Sequence, residues 1–180
     1  MPRDALLDKV MAYASEHGIA DKSLREIATG VGTSHRMLLY HFGSREGLLA
    51  AIVGAVEEQQ RAVLAALSEE GDPAEVMLRL WEQVSQPALR PYVRLFFATV
   101  GLAVQGVPGT QALLDNLTTP WLEQGGAAAR RLGVPVDPAA VRLGVAVSRG
   151  LLLELLAGAA PGDVDASYRL FVEMSRRWAQ

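Results

Sequence analysis

The chain has 180 residues, half of them hydrophobic, with a formal net charge of −3 and no cysteine. That length suits one large domain or a small domain joined to a larger one, and the apolar share supplies a substantial core, so a disordered chain is excluded. Lack of cysteine excludes disulfides, thiolate metal sites and cysteine nucleophiles, and fits a cytoplasmic protein. Residues 1–50 carry six Lys/Arg against six Asp/Glu, so any basic surface must come from placement, not from composition. The opening MPRDALLDKV carries acids and lacks a long apolar run, unlike a secretory signal. The most apolar later run, Leu143 to Ala160, is broken by Ser148, Arg149 and Glu154 and reads as a buried helix, not a membrane span.

Nearly every segment has helical period, and none alternates as a strand does. Leu6, Leu7, Val10, Met11 and Ala14 form one stripe that ends at Gly18. Ser23-Leu-Arg-Glu26 reads as a capping box, in which the serine oxygen accepts from the amide three residues on and the glutamate reaches back. The short helix it opens turns Leu24, Ile27 and Ala28 inward and stops near Gly30. Gly32-Thr33-Ser34 is a tight turn with N-cap chemistry. A second short helix follows, ending near Gly43. Ser44 then caps a long helix whose apolar face runs Leu48, Ile52, Val56, Val63, Leu67. This helix is polar around Glu57 to Arg61 and is expected to be partly exposed there. Gly71-Asp-Pro73 breaks the chain. Beyond it, helices are expected near 73–85, 88–105, 109–132, 138–158 and 163–178, separated by Gly/Pro turns, with Pro91 early enough in its helix to be tolerated.

Two short capped helices joined by a glycine turn make a helix-turn-helix, whose second helix enters the major groove of DNA. That accounts for the odd stretch SHRMLLYHFGSREGLL, residues 34–49, which crowds apolar and basic residues onto about two turns. One face, from Leu38, Tyr40 or Phe42, packs on the first two helices. The other carries Ser34, His35, Arg36, Met37 and His41. Arg36 has the planar fork that grips guanine O6 and N7, and Met37 suits a thymine methyl. Ser23, Tyr40, His41 and Arg45 are placed for phosphates, and the helix starting at Ser44 and Arg45 offers free amides to an anion. By spacing alone the pair also fits many all-α proteins, and Tyr40 and Phe42, taken singly, read as core more than as contact residues. His35 and His41 stand six apart and do not share a helical face, so no metal or other cofactor is expected.

Residues 23–49, SLREIATGVGTSHRMLLYHFGSREGLL, resemble the DNA-binding domain of TetR-family transcriptional regulators. The likeness rests on the capped SLREIA helix, the G-x-S turn, the aromatic YHF end of the recognition helix and the SRE..LL start of helix four. Leu39 stands where many members carry Tyr, Arg36 where the family often has a small residue, and Arg45 replaces the usual Lys. The resemblance implies an all-α fold: a three-helix helix-turn-helix domain over 1–47 and a helical ligand-binding and dimerisation bundle over 48–180.

The later part contains no histidine, so the commonest catalytic constellations lack their parts and no enzyme is expected. Trp81, Tyr92, Phe96, Val100, Leu117 and Trp121 fit either plain core or the lining of an apolar cavity, and the resemblance implies a small-molecule pocket among them. Glu154, set in LLLELL beside Arg149, reads as a paired or interface charge or as a polar anchor for a ligand. Gly144, Val147, Ser148, Gly150, Leu151 and Leu155 on one helix, and Phe171, Val172, Met174, Ser175 and Trp178 on the next, suit either burial within one subunit or helix association. The family implies a two-fold four-helix interface pairing two reading heads. The expected function is a ligand-responsive regulator, a repressor that binds a two-fold symmetric double-stranded DNA operator as a homodimer and is released by a small molecule. The alternative is a helical small-molecule sensor or carrier that has lost DNA binding.

Overall fold

The computed structural model describes residues 1–178, and among them every regular element is helical. In chain order these are α1 (Arg3–His17), α2 (Leu24–Gly30), α3 (His35–Phe42), α4 (Arg45–Leu67), α5 (Pro73–Ser85), a 3₁₀ turn (Pro87–Leu89), α6 (Arg90–Val104), α7 (Gln111–Asp115), α8 (Thr119–Arg131), α9 (Pro138–Ala157) and α10 (Pro161–Trp178). The expected helix over 109–132 is instead two. Pro120 has no N–H to donate and is tolerated only in a first turn, so the chain leaves α7 at Asp115 and restarts as α8 with Pro120 in its opening turn.

The residues divide into two compact units: 1–56 with 94–115, and 57–93 with 116–180. Helices α4 and α6 run through both. In the first unit, Leu6 and Val10 of α1, Ile27 of α2, Leu38 of α3, and Leu48 and Ile52 of α4 are fully buried, as the helical stripes require. This unit also takes in α7 and most of α6. Gly109, in the turn between α6 and α7, rests on the first turn of α4. A Cβ there would lie 3.0 Å from Ser44 Oγ and 3.4 Å from Gly47 Cα, and the glycine's φ of +88° suits few side chains.

In the second unit α10 packs on both α5 and α9, and α8 packs on α9. One cluster gathers Ala74, Trp81, Val164, Tyr168, Phe171 and Val172. Trp81 stacks on Tyr168 with ring centres 4.5 Å apart and donates from Nε1 to Asp165 Oδ1 at 2.8 Å, so its polar edge is satisfied. A separate cluster gathers Leu64, Val76 and Ala128, with Trp121 packed against it. No helix among the described residues is long and apolar enough to cross a membrane.

Candidate nucleic-acid interface

The reading head is held by caps written into the sequence. Ser23 Oγ accepts from the Glu26 amide at 3.3 Å, and the Ser23 amide donates to the Glu26 carboxylate at 2.8 Å. Hydrogen bonds from the Ser23 hydroxyl first and the Ser23 amide second hold the Glu26 carboxyl below the usual glutamate range. Ser34 Oγ accepts from the Met37 amide at 3.1 Å and starts α3, and Ser44 Oγ accepts from the Gly47 amide at 2.9 Å and starts α4. A serine that accepts in this way keeps its hydroxyl hydrogen for an outside acceptor, such as a phosphate oxygen. Ser34 is exposed and has that capacity, whereas the Ser23 hydroxyl is already engaged with the Glu26 carboxylate.

Helix α3 is divided along its length. Leu38 and Phe42 are buried against the rest of the unit. Tyr40 is 80% exposed, Leu39 and Arg36 are exposed, and His35 and Met37 are half-buried. Tyr40 therefore stands on the open face, and Leu38 with Phe42 does the packing. Arg36, in the first turn, carries five donors and is exposed, the arrangement that base reading needs.

Two more of the residues placed for phosphate are otherwise engaged. Arg45 Nε donates to the Lys22 carbonyl at 2.8 Å, a second guanidinium nitrogen donates to the Ala20 carbonyl, and Glu46 lies 3.8 Å away. Its side chain ties the start of α4 to the loop ahead of α2. His41 Nε2 lies 3.1 Å from the Met1 carbonyl, which can only accept, so that nitrogen is the donor. Arg3 lies over the Phe42 ring, 5.5 Å from its centre. The cations that composition did not single out are Lys22 and Arg25. Together with Tyr13, Glu26, Thr29 and Gly30 they line an open depression of about 440 Å³ beside α2. The only sequence signal for them is their place on either side of the capping serine.

The residues expected to line a ligand pocket are distributed over both compact units. Trp81 and Trp121 belong to separate hydrophobic clusters. Phe96 and Val100 lie in the first compact unit, whereas Tyr92 and Leu117 lie in the second. Phe96 is buried edge-on to Phe97, and Tyr92 and Leu117 are half-buried. Glu154 is exposed, and Arg149 pairs with Glu57 at 3.2 Å instead. Of the residues expected at a dimer interface, Val147, Leu151, Leu155 and Phe171 sit in or against the subunit's own core, and Met174 is exposed. The side chain of Trp178 lies outside the described residues. The open apolar face of α9 is its other side: Leu143, Ala146, Gly150 and Leu153 recur at alternating intervals of three and four. Leu153 is 50% exposed, and Leu170 on α10 is 57% exposed.

Comparison with known proteins matches residues 6–52 to the family model described as bacterial regulatory proteins, tetR family. The chain is 30% identical over 148 residues to the HTH-type transcriptional regulatory protein RaaS of Mycobacterium tuberculosis, spanning 81% of this chain and 68% of that one. Its fold is similar to a TetR-family transcriptional regulator from Pectobacterium atrosepticum, with TM-score 0.72, 21% identity, and coverage of 98% of this chain and 93% of the other. It is also similar to the multidrug binding protein EbrR complexed with proflavin, with TM-score 0.65, 25% identity, and coverage of 95% and 98%.

Proposed function

The chain belongs to the tetR family of bacterial regulatory proteins, and from that premise we propose that it acts as a homodimeric repressor released from its operator by a small molecule. It is a ligand-responsive, DNA-binding transcriptional regulator with a helix-turn-helix reading head. The observation that carries the DNA-reading assignment is the division of α3: Leu38 and Phe42 hold the helix while Arg36, Leu39 and Tyr40 face outward. Arg36 and Met37 read base edges, and His35, Tyr40, Lys22, Arg25 and the Ser34 hydroxyl meet the backbone.

Dimerisation is assigned to the open stripe of Leu143, Ala146, Gly150 and Leu153 on α9 with Leu170 and Met174 on α10. An exposed apolar surface of this kind marks an interface, and small residues within it let helices approach closely. Two copies place their recognition helices about one DNA turn apart, about 34–36 Å. Helix α4 runs unbroken from Arg45 into the second unit. A ligand that prefers a different disposition of that helix lowers DNA affinity by its differential binding to the two states, and by no more. No catalytic role is assigned to any residue. The test is salt-dependent binding to the DNA beside the chain's own gene, with and without candidate ligands. Site-specific binding that a ligand weakens supports the reading, and salt-independent or absent binding refutes it.

A further inference from the structure

Two buried amide atoms have no hydrogen-bond partner among the described residues: Gln60 Oε1 on α4 and Gln124 Nε2 on α8. Gln60 as a whole is only 8% exposed. The two helices run side by side in register. Trp121 Nε1 donates to Glu57 Oε2 at 2.7 Å, Leu64 and Ala128 share a cluster, and Arg131 donates to Ser68 Oγ at 2.9 Å. Gln60 and Gln124 each stand three residues after the first of these pairs and four before the second. Helical period therefore sets both on the same seam, one turn below the Glu57–Trp121 bond. A buried amide without a partner destabilises the empty protein, and such groups in native proteins call for an explanation.

The charged groups at the head of the seam are already engaged: Arg61 lies over the Trp121 ring, 5.9 Å from its centre. Arg149 donates to Glu57 Oε2 at 3.2 Å and to the Leu117 carbonyl at 2.6 Å, and burial pulls its guanidinium below the ordinary arginine range. A cationic ligand entering here would add to Arg61 and Arg149, and an anionic one would have to draw Arg149 from Glu57 or Arg61 from the Trp121 ring, and either is costly where the groups are largely buried. A neutral group with one donor and one acceptor would satisfy both glutamines, whose amides can turn to present either atom. Val76, Leu64, Ala128 and Trp121 surround the seam with apolar surface.

We propose that the α4–α8 seam is the polar subsite for the effector, and that the effector is a neutral molecule with a flat apolar body carrying an N–H beside a C=O, as in a lactam, amide or imide. This rests on the ligand-responsive reading above. The probes are three molecules sharing one tricyclic body: phenanthridinone, a neutral lactam; N-methylphenanthridinium, a cation; and phenanthridine carboxylate, an anion. Fluorescence titration of the full chain should give at least roughly tenfold tighter binding of the lactam than of either charged probe. Gln60→Leu and Gln124→Leu should each weaken lactam binding about tenfold while raising the thermal midpoint of the unliganded protein, because each removes a buried unpaired amide. A purely structural role for the glutamines would move the midpoint and leave the affinity alone. Tighter binding of a charged probe, no binding of the lactam, or lactam affinity unchanged in both variants overturns the proposal. Operator binding, measured separately on the same proteins without probe, should match wild type in both variants. Its failure in wild type would strike the regulatory reading and leave the lactam result standing.

Discussion

Arg45 separates two physical roles that a sequence cannot tell apart. A cation at the start of α4 suits a DNA phosphate, yet here its guanidinium bonds the carbonyls of Lys22 and Ala20. Hydrogen bonds to a charged donor contribute about 1.5–3 kcal/mol each in net terms. The side chain is 29% exposed, so solvent screens part of this, and a loss of about 2 kcal/mol is expected for Arg45→Ala. Out of a total stability of about 5–15 kcal/mol, that is readily measured by urea denaturation. DNA affinity should fall too, because α4 is no longer tied to the loop ahead of α2. The dependence of log affinity on log salt should keep its slope, since no phosphate contact is lost. A phosphate contact predicts the opposite: unchanged stability, and a slope smaller by about 0.9 per contact, or about 1.8 for two copies in a dimer. Urea curves and a salt series on the same protein decide the matter, and the second pattern would refute the tether.

Arg36→Ala should relax preference at one position in each half-site, at about 1–3 kcal/mol per bidentate contact, read from single-base operator variants, and Met37→Ala should cost less at a neighbouring position. Leu38→Ala should lower stability by about 2–5 kcal/mol by urea denaturation, because a fully buried side chain leaves a cavity in the reading head. Leu153→Glu should convert the dimer to monomer in sedimentation and abolish tight operator binding, whereas Leu151→Glu, pointing into the subunit's own core, should unfold it. Burial pushes the Tyr168 hydroxyl above its ordinary value, so the folded state resists losing that proton. Its contribution to stability is complete below the unfolded tyrosine pKa near 10 and is lost as pH rises through the higher folded value. Tyr168→Phe should flatten the alkaline fall in denaturation midpoint.

Much of the reading head was legible because its signals are local. The Ser23–Glu26 box needs only the right residues three apart, and the fully buried positions of α1 to α4 follow from helical period alone. The destination of Arg45 was not legible, since its partners are carbonyls 23 and 25 residues back, and any exposed carbonyl looks alike in sequence. The break at Pro120 was legible in principle, since Asp115, Asn116, Thr118 and Thr119 ahead of it are poor helix formers and its missing donor restarts the helix. The proposed dimer face shows a different limit. Helix α9 is apolar on both sides, so periodicity cannot choose between Val147, Leu151 and Leu155 on one side and Leu143 and Leu153 on the other. The packing of α8 and α10 on α9 decides which side is already covered. The glutamines of the α4–α8 seam look like surface residues in sequence, and become informative only when the helices are seen to run in register.

The central claim is that two copies of this chain read DNA together through α3. Selection of bound sequences from random duplex DNA tests it most directly. The account predicts a two-fold symmetric consensus whose half-site centres repeat about one helical turn apart, with a guanine preference that fades in Arg36→Ala. Enrichment of no sequence, or of an asymmetric one that the folded Arg36→Ala protein selects equally well, would contradict it.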